Sequence, residues 1–309
     1  MSKGQHMHSA RASLIAALFG AALLIAQPAA AQQVFASPEA AAQALIEAAG
    51  HTGEGMLDKI FGPGSQELLA SGDADVDRRR IEQFLAAAAK GSSDVDGKDG
   101  RKLLVFGTNG WSFPIPLQQK GKEWTFDLAA GRLEILDRAI GENETTAIGA
   151  CADYVAAQNE YFATLHDDEP VQQFAQKMLS TPGKQDGLYW GPATPSDRSP
   201  LGDRIAAAAL ENVRQDGKPQ PYRGYIYRIL TGQGPSAPGG AYSYLVNGRL
   251  LAGFALLATP DKWKETGVMT FLCDQRGQVF EANLGPKTTP LSAAITRFNP
   301  GEGWQRVGD

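Results

Sequence analysis

The stretch Asn143–Thr164, NETTAIGACADYVAAQNEYFAT, decides the fold of the second half of the chain. Its apolar residues recur at intervals of three, four and seven, as on one face of an α-helix. These residues are Ile148, Cys151, Val155 and Phe162. With Asn143 as the N-cap, the pattern predicts a long amphipathic helix that buries Cys151.

Beyond this helix the sequence changes to short apolar runs separated by turns. Asn247–Gly248 and Asp274–Gly277 each separate two such runs, as in β-hairpins. The predicted strands are Tyr225–Leu230, Tyr242–Val246, Leu250–Ala258, Gly267–Cys273 and Gln278–Leu284. Further helices are expected at Pro170–Leu179, Leu201–Val213 and Pro290–Arg297. Helices combined with antiparallel strands predict an α+β domain over residues 131–309.

The preceding region predicts a second α+β domain, over residues 32–130. Its helices are expected at about Ser37–Gly50, Gly55–Phe61 and Asp77–Ala89. A polar loop is expected at Gly91–Gly100, and strands at Lys102–Phe106, Trp111–Gln118 and Glu123–Leu128. This element order resembles the NTF2-like and cystatin-like folds, which implies helices packed on a curved antiparallel sheet.

The first 31 residues have the pattern of a secretory signal peptide. Lys3 and Arg11 precede an apolar run, Leu14–Ala26, and small residues follow up to Ala31. Thirteen apolar residues reach only about 20 Å as a helix, less than the ~30 Å hydrocarbon core of a membrane. We therefore predict cleavage after Ala31, a periplasmic location, and a mature chain that is not embedded in the membrane.

Composition narrows the classes of function. Removal of 31 residues from 309 leaves 278, a length natural for two domains. The leader holds two of the 29 basic residues and none of the 34 acidic ones, so the mature formal charge is −7. A mildly acidic chain lacks the basic surface that nucleic acid binding requires, and no nucleic acid partner is expected.

Four strings resemble a bacterial secreted family known only as domain-of-unknown-function family 2950. They are GRLEILDRAIGENE (131–144), LSTPGKQDGLYW (179–190), YRILTGQGPSAPGGAYSYLVNGR (227–249) and GVMTFLCDQRG (267–277). The resemblance implies no activity and no catalytic residues. The long helix followed by strands is also similar to type IV pilin-like domains, but Leu133–Arg138 is polar where a pilin helix is apolar, so this likeness concerns the fold alone.

Catalytic and metal-binding patterns are weak. The predicted mature chain has two histidines, His51 and His166, and no G-x-S-x-G nucleophile elbow. His166–Glu169 gathers an imidazole and three carboxylates, but adjacent side chains at a helix end usually diverge. We expect no metal and no cofactor. Cys151 and Cys273 are predicted core residues, and a disulfide between them is possible in an oxidising compartment.

The most suggestive feature is a pair of glycine-rich loops. Ser180–Trp190 combines glycines, charges and two large aromatic residues, and Thr231–Tyr242 has a similar character. Loops presented by a rigid scaffold often bind ligands, although the aromatic residues could instead complete the core. The candidate binding residues are Lys184, Asp186, Tyr189, Trp190 and Tyr242.

The sequence favours a periplasmic binding or envelope-assembly accessory protein without catalytic turnover. An envelope protein, a peptide or a glycan is the expected partner. One alternative is an envelope hydrolase with paired carboxylates at the domain junction, drawn from Glu134, Asp137, Glu142 and Glu144. A structural homo-oligomer is the other.

Overall fold

The computed structural model describes residues 32–51, 55–62, 65–70, 74–190, 198–201 and 221–308. The chain divides into two compact units, Met1–Asp127 and Leu128–Asp309. The predicted domain boundary after Ala130 falls inside the first turn of the helix that opens the second unit. The predicted signal peptide and the predicted helix beyond Leu201 lie outside the described residues.

The first unit packs helices on an antiparallel sheet. Its helices are α1 (Pro38–Gly50), α2 (Met56–Phe61), α3 (Ser65–Leu69) and α4 (Ala74–Ala88). Its strands are β1 (Ser92–Asp96), β2 (Lys102–Phe106), β3 (Trp111–Ser112), β4 (Leu117–Lys120) and β5 (Glu123–Phe126). The strand order is β1-β2-β4-β5, with β3 also paired to β2. Ser37 caps α1 as predicted, because its hydroxyl accepts a hydrogen bond from the Ala40 amide at 3.3 Å.

Strand β1 corrects the prediction of a loop at Gly91–Gly100. Four of its five residues are polar and most are exposed, so its sequence has no apolar alternation. Lys102, on the neighbouring strand, places its ammonium group 2.9 Å from both Asp94 and Asp96. The backbone of Ser92–Asp96 pairs in antiparallel register with β2. The strand therefore depends on a neighbour rather than on its own apolar pattern.

One helix, α5, runs from Leu128 to Phe162 and opens the second unit. The prediction that a helix begins at Asn143 is wrong, since this residue lies in the middle of α5. Its side-chain amide donates to the Thr266 carbonyl at 3.0 Å instead of capping a helix end. No proline interrupts the stretch from Leu128 to Glu142, and Glu134 pairs with Arg138 one turn later, so the helix already forms before Asn143.

A five-stranded antiparallel sheet forms the centre of the second unit. Its strands are β6 (Tyr225–Leu230), β11 (Ala255–Pro260), β12 (Thr270–Asp274), β13 (Val279–Ala282) and β14 (Gln305–Arg306). They lie in the order β14-β13-β12-β11-β6. Two smaller ladders join β7 (Gly232–Gln233) to β8 (Tyr242–Ser243), and β9 (Leu245–Val246) to β10 (Arg249–Leu250). Asn247 and Gly248 form the predicted turn, both with positive φ.

Helix α5 packs on one face of this sheet. A disulfide joins Cys151 on the helix to Cys273 on β12, with the Cα atoms 5.9 Å apart. In the sheet register Cys273 lies beside Leu256 and Ile229, so Arg228, the neighbouring residue on β6, points to the opposite face. There Arg228 donates to the carbonyls of Ser292 and Ile295, each at 2.7 Å. These two carbonyls belong to the end of a short helix, α6 (Thr288–Ala294), which the guanidinium stabilises.

The segment after α5 is irregular, and the prediction of a helix at Pro170–Leu179 is wrong. Its backbone groups bond to distant residues instead of to each other. The Ala175 amide donates to the Gln158 side chain at 2.8 Å, and the Phe174 amide donates to the Leu250 carbonyl at 2.9 Å. The buried Gln158 also donates to the Ala175 carbonyl at 2.9 Å. These tertiary bonds replace the local ones of a helix.

The predicted α+β class is confirmed, with helices and antiparallel sheets in both units. The finer likenesses to NTF2-like, cystatin-like and pilin-like folds stay predictions. None of the helices in the described ranges combines the length and the apolar composition that a membrane-spanning segment needs.

Candidate functional site

Asp186 closes the first glycine-rich loop. Its carboxylate accepts hydrogen bonds from the Thr181 amide at 2.7 Å and from the Thr181 hydroxyl at 2.9 Å, and it pairs with the Lys177 ammonium at 2.6 Å. Burial alone would raise the pKa of this carboxyl, but the bonds from Lys177 and Thr181 outweigh it and lower the pKa to about 2. Asp186 therefore holds the loop closed, and Lys184 stays exposed on it.

The two aromatic residues of this loop anchor it to the core. Tyr189 is only 7% exposed and belongs to the main core of the second unit. Its amide donates to the Met178 carbonyl at 2.9 Å, and its carbonyl accepts from the Ser180 amide at 2.8 Å. Trp190 is half-buried against the same core. Tyr189 therefore fixes the loop, while Trp190 retains part of its surface.

A stacked pair that sequence reasoning missed lies beside Trp190. The His166 ring stacks on the Tyr161 ring with centroids 3.8 Å apart, and lies 5.6 Å from the Trp190 ring. The Tyr161 hydroxyl donates to the Gln185 carbonyl at 2.7 Å, and burial raises the pKa of Tyr161 to about 12. The sequence drew attention to His166 only as part of the His166–Glu169 run at a helix end. No spacing in the sequence revealed the stack, because the chain must first reverse after Phe162.

Gln233 organises the second glycine-rich loop. Its side-chain nitrogen donates to the carbonyls of Pro238 and Gly240, at 2.8 and 2.7 Å. Its side-chain oxygen accepts from the Tyr244 hydroxyl at 3.0 Å. The buried side-chain amide of Gln233 thus fixes both ends of this loop. The glycine-rich composition of the loop would, by itself, predict a flexible segment. Tyr242, at the end of this loop, is 37% exposed.

The structure groups four of the five candidate residues on one closed loop. Lys184, Asp186, Tyr189 and Trp190 share the Ser180–Trp190 segment, whereas Tyr242 belongs to the second loop. The centroid of the Tyr242 ring lies 5.4 Å from that of the Tyr244 ring. Both loops are anchored on the same core, through Tyr189 and Tyr244. Lys184 and Tyr242 are the members that remain exposed.

The four carboxylates considered for a hydrolase all lie on α5 and have different surroundings. Glu144 accepts hydrogen bonds from the backbone amides of Val268 and Met269, at 2.8 and 3.0 Å, and so anchors the approach to β12. Glu134 pairs with Arg138. Glu142 and Asp137 are exposed. Glu142 and Glu144 are two residues apart on a helix, so their side chains point to nearly opposite sides.

The acidic side chains that follow α5, in the run Asp167–Glu169, bind different partners in the structure. Asp167 accepts from the Gln185 amide at 3.2 Å, while Glu169 pairs with Arg249 at 2.8 Å. Within the described ranges, no three histidine, cysteine or acidic side chains are gathered as a metal would require.

Fold and site together define an α+β protein of two units, with a disulfide and two internally locked loops in the second. The chain belongs to the family described as protein of unknown function DUF2950, whose model matches residues 32–307. No curated protein and no solved structure matches the chain.

Proposed function

We propose that this protein is an exported binding or envelope-assembly accessory protein that acts without catalytic turnover. Its binding face is formed by the two locked loops. Lys184, Tyr242 and the half-buried Trp190 would contact the partner, while Asp186 and the buried Tyr189 hold the first loop in shape. An envelope protein, a peptide or a glycan is the class of partner that such a face would bind.

The observation that carries this proposal is the internal locking of both loops. Asp186 binds two groups of Thr181 in its own loop and the adjacent Lys177, and Gln233 binds two carbonyls of its own loop and the adjacent Tyr244 hydroxyl. The exposed Lys184 and Tyr242 are therefore presented on ordered backbone. A preordered loop loses less conformational entropy on binding than a flexible one, which favours affinity. Tyrosine adds a large contact area, and its hydroxyl group provides a polar contact.

Export is supported by the predicted leader and by two further observations. The family match begins at residue 32, directly after the predicted cleavage site at Ala31. The Cys151–Cys273 disulfide suits an oxidising compartment such as the periplasm.

The hydrolase alternative is less well supported, because Glu144 already binds two backbone amides. A homo-oligomer would instead show a mass in solution that depends on concentration.

Native mass spectrometry of the protein purified unreduced from the periplasm tests the proposal. We expect a chain that begins at Gln32 and carries a retained partner mass. The Lys184→Ala/Tyr242→Ala variant should lose that mass, whereas the matched Lys287→Ala/Leu291→Ala variant, which removes an exposed lysine and an exposed apolar residue elsewhere, should keep it. An intact Met1 contradicts export, and equal partner retention by both variants contradicts the proposed face.

A further inference from the structure

A groove of about 500 Å³ lies beside α5, away from the two locked loops in sequence. Six residues line it: Gly141, Glu142, Asn143, Thr145, Thr146 and Arg223. The groove is open to solvent and is lined by both polar and apolar atoms. Five of these residues come from one stretch of the helix, and Arg223 comes from the turn that precedes β6.

The turn that carries Arg223 is fixed against the helix. Tyr222 and Tyr225 exchange backbone hydrogen bonds of 2.8 and 2.9 Å. Gly224 has a φ of +74°, and a Cβ atom there would lie 2.7 Å from the side-chain nitrogen of Asn143. The Asn143 amide in turn donates to the Thr266 carbonyl at 3.0 Å. The two walls of the groove are therefore held in place by direct contacts.

Arg223 itself has a φ of +46°, in the left-handed region that disfavours every residue with a Cβ atom. Glycine, or asparagine at small cost, would relieve this strain. Strained backbone of this kind is concentrated at ligand sites, where the side chain matters more than the backbone preference. The position thus favours a role for the guanidinium group.

The groove holds opposite charges that do not pair. Glu142 and Arg223 are both exposed, and neither forms an ion pair with any charged residue in the described part of the chain. The hydroxyls of Thr145 and Thr146 donate to the carbonyls of Gly141 and Glu142, at 2.8 and 2.9 Å. Their remaining lone pairs are acceptors. The helix wall therefore suits a cationic group, while Arg223 suits a carboxylate.

We propose that this groove binds a small zwitterion, an amino acid or a short peptide. The ammonium group of the ligand would bind Glu142 and the threonine hydroxyls, and its carboxylate would bind Arg223. A ligand with only one of these charges would leave the other protein charge unpaired. The site is independent of the locked loops, so its failure would leave the proposed loop face untouched.

Calorimetric titration of the purified protein with glycine, diglycine and triglycine tests the proposal. The distance between the two ligand charges grows by about 3.5 Å per added residue, so one member should bind best. N-acetylglycine lacks the ammonium and glycinamide lacks the carboxylate, and both should bind at least about tenfold more weakly than the best zwitterion. No binding of glycine, diglycine or triglycine at millimolar concentration, or equal binding of the capped compounds, overturns the proposal.

Variants of the two charged residues assign the ends of the ligand. Glu142→Gln and Arg223→Gln should each weaken binding at least about tenfold, while Glu302→Gln and Lys287→Gln, at exposed positions elsewhere, should not. Arg223→Gly is the sharper case, because it should raise the melting temperature by relieving the left-handed backbone and still abolish binding. Unchanged binding by Arg223→Gly would overturn the role of the guanidinium.

Discussion

The Tyr244 hydroxyl donates a hydrogen bond to the side-chain oxygen of Gln233 at 3.0 Å, and both residues are buried. The nitrogen of the same amide donates to two loop carbonyls, those of Pro238 and Gly240. One side chain therefore satisfies three polar groups inside the protein. Its loss would leave a hydroxyl and two carbonyls without these partners in a largely water-free environment.

Gln233→Ala should consequently lower the free energy of unfolding of the second unit by about 2–3 kcal/mol. Urea denaturation followed by circular dichroism measures the change. Gln305→Ala, at an exposed position of β14, is the matched control and should stay within about 0.5 kcal/mol of the parent protein. Equal stabilities of the two variants would show that the amide does not organise the loop.

The Cys151–Cys273 disulfide links positions separated by 122 residues. Closing so long a loop restricts the unfolded chain, which on the chain-entropy model stabilises the folded protein by about 4–5 kcal/mol. Replacing both cysteines with alanine should therefore lower the unfolding midpoint of the second unit. The first unit has no cysteine, so its own unfolding transition should not shift. A double variant as stable as the parent would contradict this prediction.

Asp186→Asn tests the closure of the first loop. The folded pKa of about 2 lies below the ordinary value of 3.8, so the charged carboxylate stabilises the fold above about pH 4. This contribution is lost as the pH falls from about 4 to about 2. At pH 7 the variant should be less stable by about 1 kcal/mol, since the Lys177 partner is half exposed and screened by solvent.

Urea midpoints of the parent and Asp186→Asn proteins at several pH values measure this effect. The difference between them should shrink between pH 4 and pH 2. Asp168→Asn, in the exposed acidic run, controls for removal of a negative charge. A difference that persists unchanged at pH 2 would assign the loss to packing instead of to the carboxylate.

Gly187 and Gly149 make a matched glycine pair. A Cβ atom at Gly187 would lie 2.7 Å from the backbone nitrogen of Ser180, so Gly187→Ala should destabilise the protein by about 2 kcal/mol or more. Gly149 lies inside α5 with open space around it, so Gly149→Ala should stabilise the protein by about 0.5–1 kcal/mol. Melting temperatures measure both, and shifts of the same sign would contradict the packing at Gly187.

Elements with local causes could be predicted from the sequence. The Ser37 cap and the Asn247–Gly248 turn depend on the conformations that a few neighbouring residues allow. The four sequence strings that resemble family 2950 also correctly predicted that the chain belongs to this family. Strand β1 could not be predicted, because Lys102 and the backbone of β2 stabilise it. The irregular segment after α5 depends in the same way on Gln158, through a pairing visible only in three dimensions.

In the candidate site, too, some residues could be predicted from the sequence and others could not. Composition drew attention to Lys184 and Tyr242 because glycine-rich loops with charges and aromatic residues often bind ligands. The role of Asp186 as an internal lock, and that of Gln233, require knowledge of which backbone groups the folded chain brings near them. The stacking of His166 on Tyr161 likewise follows from a chain reversal that no spacing encodes.

Photo-crosslinking in the periplasm tests the central claim, the loop binding face, most directly. A benzoylphenylalanine residue is placed at position 184, at position 242, and at the exposed control position 287. We predict a discrete adduct with an envelope component from positions 184 and 242, and none from position 287. No adduct at either loop position, or the same adducts at all three, would contradict the binding face.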